Sequence, residues 1–170
     1  MKFIIASDIH GSAYYCEKLL EQYKKIKPER VVLLGDILYH GPRNDLPRDY
    51  NPKRVIELLN EIKEDILCVR GNCDTEVDQM VLEFPIMADY AVIFDGQKTI
   101  YCTHGHKYNL ENLPPINSGD ILLHGHTHIK ADKTVNGIRY INPGSVSIPK
   151  DGSNSFIVYE NEEFCFKTIE

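Results

Sequence analysis

Five times in this sequence a short apolar run stops at a polar cluster that contains glycine. That repeated punctuation constrains the fold more than any other feature. The runs are residues 2–6, 31–34, 66–69, 99–103 and 121–123. The clusters are Asp8-Ile9-His10-Gly11, Gly35-Asp36, Gly71-Asn72-Cys73-Asp74, Thr103-His104-Gly105-His106 and His124-Gly125-His126-Thr127-His128. Apolar runs this short, bounded by turn residues, read as strands buried on both faces. Between the first three, Tyr15, Leu19, Tyr23 and Ile26 recur at helical spacing behind Ser12, a suitable N-cap, and Pro28 stops the helix. Asn51-Pro52 opens a second helix striped by Val55, Leu58, Leu59 and Ile62. Strand–helix–strand–helix–strand predicts parallel strands joined by right-handed crossovers.

The second half changes character. Residues 91–94 and 99–103 read as a hairpin around Asp95-Gly96. Asn136-Gly137 joins another pair of strands, and 156–159 with 164–168 form a last hairpin. The polar stretch 39–51 is a surface loop long enough to carry function. No repeat, low-complexity tract or linker interrupts the chain. The expectation is one α/β domain over residues 1–170, with two packed sheets and helices outside.

Ligands bind at the carboxyl ends of strands in open α/β sheets, so the five clusters are expected to converge on one rim. Asp, His and Asn are donors that suit divalent transition metals. All 7 histidines fall at 10, 40, 104–106 and 124–128, a placement that isolated surface or core histidines would not produce. Asp8 and His10 stand two apart, as do His126 and His128; extended backbone would turn each pair to one side.

The net charge of −6 argues against non-specific coating of nucleic acid or anionic membrane, and no cationic track suggests a long nucleic-acid groove. It leaves open an enzyme that handles one phosphate at a time. The 5 cysteines are odd in number and form no CxxC pair, which reads as free thiols in a reducing compartment. No apolar run approaches the ~20 residues a bilayer span needs. The expected location is the cytoplasm.

The series Asp8-x-His10, Gly35-Asp36, Gly71-Asn72, Thr103-His104-Gly105-His106 and Gly125-His126-x-His128 resembles the calcineurin-like metallophosphoesterases. The segments His40-Gly41-Pro42-Arg43-Asn44, Arg70-Gly71-Asn72-Cys73-Asp74 and Asn142-Pro143-Gly144-Ser145-Val146 resemble the small bacterial YfcE-type phosphodiesterases within that superfamily. The resemblance runs in order from residue 2 to about 150. It implies a four-layer αββα sandwich of two mixed β-sheets flanked by helices. It also implies two divalent metal ions, Mn²⁺ first among Ni²⁺, Zn²⁺, Fe²⁺ and Mg²⁺. Asp8, His10 and His128 would hold one ion; Asn72, His104 and His126 would hold the other, with Asp36 bridging. The implied reaction is hydrolysis of a small phosphodiester by in-line attack of a metal-bridging hydroxide. Similar proteins self-associate, which implies a dimer or tetramer.

Several residues have two readings. Cys73 stands where many members of the superfamily carry a histidine that protonates the leaving group; it is either that acid or a small packing residue. Arg43 is either a phosphate contact or a surface arginine in a polar loop. Arg70 is expected to pair with a carboxylate near the metals, and His106 to sit behind them or touch substrate. His124 is given no ligand role. The Asn142–Ser145 turn is read as structural. Asp74, Glu76 and Asp78 read as the solvated acidic start of a short helix. A phosphomonoesterase or nuclease is the enzymatic alternative. A protein-binding scaffold of the retromer-subunit type, with a degenerate metal site, is the non-enzymatic one.

Overall fold

Alternation within the first strand decides how the layers stack. In the computed structural model, which describes all 170 residues, β1 (Lys2–Ala6) sends Phe3 and Ile5 into one core and Ile4 and Ala6 into another. The first core lies between two sheets, and the second lies under helices. β1 pairs in parallel with β2 (Arg30–Leu33), which pairs in parallel with β3 (Ile66–Cys68). β9 (Ser155–Glu160) runs antiparallel on the other side of β1, followed by β10 (Glu163–Thr168), giving the order β10-β9-β1-β2-β3. The chain's last hairpin therefore extends the sheet that its first strand began.

The crossover helices are α1 (Ala13–Ile26) and α2 (Pro52–Asn60), both covering the outer face of this sheet. Ser12 caps α1 by accepting from the Tyr15 N–H, and Lys27, at φ 51°, ends the helix. Asn51 caps α2, with Pro52 in its first turn. Ile62, read from the sequence as part of the α2 stripe, lies beyond the helix end, at the start of a 3-10 turn over Lys63–Asp65. A four-residue helix, α3 (Glu76–Gln79), follows the third cluster.

The second sheet has the order β4-β5-β6-β8-β7, from β4 (Tyr90–Asp95), β5 (Lys98–Thr103), β6 (Ile121–Leu123), β8 (Ile138–Pro143) and β7 (Lys130–Val135). Its centre, β5-β6-β8, is parallel, and both outer pairs are antiparallel hairpins. Its inner face meets the first sheet through Ile100, Cys102, Ile121, Leu123 and Ile141, opposite Phe3, Ile5, Val32 and Leu34. On its outer face Ile116 packs against Leu122, Ile138 and Tyr140, so the irregular segment 104–119 covers that side. Asn142-Pro143, read as the start of a turn, are the last residues of β8. This is the α/β architecture of two mixed five-stranded sheets with helices, and its parallel strands end on one rim.

Candidate metal centre

The clusters after β1, β2, β3, β5 and β6 meet at that rim, but not by extended backbone. Asp8, His10, His126 and His128 all hold positive φ, at 59°, 48°, 67° and 59°. The expectation that extended spacing alone turns each pair to one side is therefore corrected. Each pair converges through left-handed turns, a conformation that L residues adopt only where surrounding structure imposes it. The Asp8 backbone carbonyl accepts from the hydroxyls of Ser145 (2.9 Å) and Ser147 (3.1 Å), and the His126 N–H donates to Asp8 Oδ2 at 3.1 Å. Gly125 has no room for a side chain, because a Cβ there would collide with Ser7. The loop after β8 thus locks the loop after β1.

Asp36, also at positive φ (56°), is held by Asp74. Asp74 is buried and accepts from the backbone N–H groups of Asp36 (2.8 Å), Ile37 (2.9 Å) and Gly71 (2.7 Å). It is not the solvated start of α3; Thr75 and Asp78 form the capping box of that helix. A periodic reading assigns Asp74 to the helix surface because it cannot see the two orphan N–H groups of Asp36 and Ile37 at the neighbouring strand end. Burial raises the Asp74 pKa against those hydrogen bonds. Asp36 Oδ1 accepts from the Cys73 N–H at 2.8 Å, and a Cβ on Gly71 would strike the Asp36 carboxylate.

The imidazoles are oriented through their outer nitrogens. His10 Nδ1 donates to the Tyr39 carbonyl (2.7 Å), His104 Nδ1 to the Leu34 carbonyl (2.6 Å) and His128 Nδ1 to the Ile148 carbonyl (2.7 Å). In the neutral ring this leaves the lone pair on Nε2. The two Nε2 atoms of His10 and His128 then face each other at 3.2 Å. His104 Nε2 lies 3.0 Å from Asn72 Oδ1 and 3.2 Å from His126 Nδ1. Asp8 Oδ1, fully buried, has no hydrogen-bond partner, although His128 Nε2 is 3.2 Å away. Acceptors converging this closely repel one another unless a cation sits among them, which is the arrangement of a metal site and its outer hydrogen bonds.

The pKa shifts describe the same demand for positive charge. Burial pulls His104 down, yet the Asp36 hydrogen bond and the Asp8 and Asp36 charges raise it to about 9. His10 is raised against burial by Asp8 in the same way. Burial would raise Asp8, but its contacts with His10 and His128 hold it well below the usual carboxylate range. Asp36 is lowered against burial, chiefly by His104. His126 is lowered by burial and by His104. Within 4.8 Å of one another lie donor atoms of Asp8, His10 and His128, of Asp36, His104 and His126, and of His10, Asp36 and Cys73.

His10, Asp36, Asn72, His126 and His128 open onto a cavity of about 500 Å³ that Arg43, Cys73, Asn44, Thr127 and Lys150 also line. Such a donor set on αββ-type strand ends directs attention to one family. A calcineurin-like phosphoesterase superfamily domain matches residues 1–163. The chain belongs to that superfamily. Phosphodiesterase YfcE of Escherichia coli K12 is 48% identical over 153 residues, covering 90% of this chain and 83% of YfcE. The solved structure of that E. coli phosphoesterase matches with a TM-score of 0.93 at 42% identity, covering 100% of both chains. Zinc-bound Vps29 from Entamoeba histolytica shares the fold at a TM-score of 0.63 and 21% identity, covering 96% of this chain and 88% of Vps29.

The remaining expectations divide. Arg43 does line the cavity, and it is exposed. Arg70 donates Nε to the Asp74 carbonyl at 3.3 Å rather than to a carboxylate, which corrects the expected pairing. The reason is that Asp74 turns its carboxylate toward backbone N–H groups. The His106 ring lies 5.4 Å from that of His104 at a tilt of 58°, and it borders a second, smaller polar cavity with Asn72 and Arg70. His124 sits near the Asn142 amide (3.3 Å), away from the donors. Asn142 is structural, donating to the Gly125 carbonyl and Thr127 Oγ1. Sequence reading missed Asp74, Ser147 and Lys150. For Lys150 the available signal was a lone lysine just beyond the Asn142–Ser147 segment.

Proposed function

We propose that this protein is a metal-dependent phosphodiesterase acting on small phosphodiesters. The observation that carries the reading is the face-to-face contact of His10 and His128 Nε2 beside the unpartnered Asp8 Oδ1. Asp8, His10 and His128 would hold one divalent ion; Asn72, His104 and His126 would hold the second; Asp36 would serve both. Mn²⁺ is the first choice, with Ni²⁺, Zn²⁺, Fe²⁺ and Mg²⁺ the alternatives, because such N/O donors do not select one ion by affinity alone. When bound, the ions would supply a water of lowered pKa and positive charge against the phosphoryl oxygens.

The chain's own groups supply the rest. Outer hydrogen bonds of His10, His104 and His128 fix their lone pairs in advance, so little reorganisation accompanies loading. Asp36 and Asn72 meet the reacting phosphate side of the cavity, and Arg43 offers a planar pair of donors to a phosphate oxygen. Burial and the Asp36 charge push the Cys73 thiol up to about 12, and Asn72 Nδ2 lies 3.4 Å from its sulfur. Such a thiol is a poor acid toward an aryl-oxide leaving group, which favours packing for Cys73 over proton donation. A scaffold of the retromer type would have no need of the intact donor set. Residues 1–170 act as one unit in this reading, in a reducing cytoplasm that suits five free cysteines, and as a homo-oligomer.

The test is to strip metal with a chelator, restore each ion in turn, and compare hydrolysis of an aryl phosphodiester with an aryl phosphomonoester. Diester turnover restored by Mn²⁺ is the expected result. No turnover with any ion refutes the enzyme reading, and faster monoester turnover refutes the diester preference.

A further inference from the structure

The outer hydrogen bonds that orient two of the donor histidines have a second effect. His10 grips the Tyr39 carbonyl, and four residues on, the same loop carries Arg43. His128 grips the Ile148 carbonyl, and its own carbonyl accepts from the Lys150 N–H at 2.9 Å. Both segments are therefore pinned to the donor set, and each delivers a cation to the wall of the same cavity. Neither cation is neutralised. Asp151, the acid nearest Lys150 in sequence, is taken by Lys130, whose N–H donates to it at 2.7 Å and whose Nζ lies 3.0 Å away. Arg43 and Lys150 form no ion pair with any carboxylate of the chain.

The cavity wall contains no Phe or Tyr face on which a nucleobase could stack. Its recognition elements are charge and hydrogen bonding: Arg43, Lys150, Asn44 and Thr127. One phosphodiester carries one negative charge, which the two proposed ions and Arg43 already meet. Lys150 is left over. We infer that the preferred substrate is a phosphodiester whose one arm bears a second anionic group, and that Lys150 is the residue that recognises it. The inference rests on the phosphodiesterase reading and names its substrate class.

A matched pair of substrates tests it: ethyl p-nitrophenyl phosphate and 2-phosphoethyl p-nitrophenyl phosphate, with the same leaving group and differing by a terminal phosphate. A charge-assisted hydrogen bond corresponds to about tenfold in kcat/KM. The native protein should favour the phosphoethyl diester by about that factor, and Lys150→Gln should remove most of the preference. Lys150→Arg should keep it, as should Lys24→Gln, which deletes an exposed lysine on α1 and controls for overall charge. Equal rates on both diesters, or equal losses on both in Lys150→Gln, would overturn the inference.

Calorimetric titration with methylenediphosphonate and methylphosphonate, which offer no ester bond, gives the same comparison without turnover. If neither diester is hydrolysed, the phosphodiesterase reading fails. Tighter binding of methylenediphosphonate, lost in Lys150→Gln, would then still support the second-anion site, and equal binding would refute it.

Discussion

The two sheets contribute differently to the rim. Strand ends of the first sheet bring Asp8, His10, Asp36 and Asn72, including both carboxylates. Those of the second bring only imidazoles: His104, His126 and His128. The carboxylates of the first half are fixed by backbone N–H groups, as when Cys73 donates to Asp36. His104 and His128 are fixed by carbonyls, and His104 reaches across to Leu34 of the first half. Both anionic donors thus come from one side of the inter-sheet core, and the other side supplies neutral donors alone. Each proposed ion would draw on both sides, so the centre exists only when the sheets are docked.

That division can be broken at its neutral side first. His126→Ala removes one imidazole from the second half; loss of diester turnover by about hundredfold is expected, with a matching fall in metal affinity read by chelator competition. A variant that keeps both would show that His126 is not needed for the ions.

The charge asymmetry is sharpened by pH. In the metal-free protein His104 is raised to about 9, so its contact with Asp36 stabilises the fold fully below the unfolded value of 6.5 and is lost as pH rises through about 9. A metal ion held by His104 would replace that proton. Between pH 9 and pH 6.5 the apparent metal affinity should therefore fall by about tenfold per pH unit for each proton displaced, and the metal-induced rise in Tm should shrink. Affinity independent of pH, measured by calorimetry in two buffers, would remove the idea that protons and metal share His104.

Within the first half, Asp74 is the brace for Asp36. Asp74→Ala leaves three buried N–H groups without their acceptor, and a loss of about 3 kcal/mol in urea unfolding is expected. Asp74→Asn, which keeps one oxygen, should lose less. Equal stability in all three proteins would make Asp74 a passenger. The smallest effect is expected at Cys73: Cys73→Ser should change turnover of aryl phosphodiesters by under about twofold, since good leaving groups need no acid. A large loss there would return the proton-donor role to the thiol.

Much of this arrangement was legible in the residues. Apolar runs ending in Gly, Asp, Asn and His announced both the strand ends and the chemistry, and Ser12, Asn51 and Pro52 announced the helix starts. What escaped were groups whose partners are distant in sequence. Asp74 looks like an acid at a helix start until Ile37, 37 positions away, is placed against it. Ser145 and Ser147 look like turn residues until the Asp8 carbonyl, 137 and 139 positions away, arrives. Lys150 has no periodicity to betray it.

The sequence by itself determined which side chains could bear the chemistry and that parallel strands would carry them to one edge, because alternation and turn residues act over a few positions. Only the tertiary structure decided how they meet. The left-handed turns at Asp8, His10, His126 and His128, and the outer hydrogen bonds that aim the lone pairs of His10, His104 and His128 inward, are imposed by contacts between segments distant in sequence. Backbone strain of that kind is unfavourable locally, so no local pattern encodes it; it persists because the docked halves leave no other conformation.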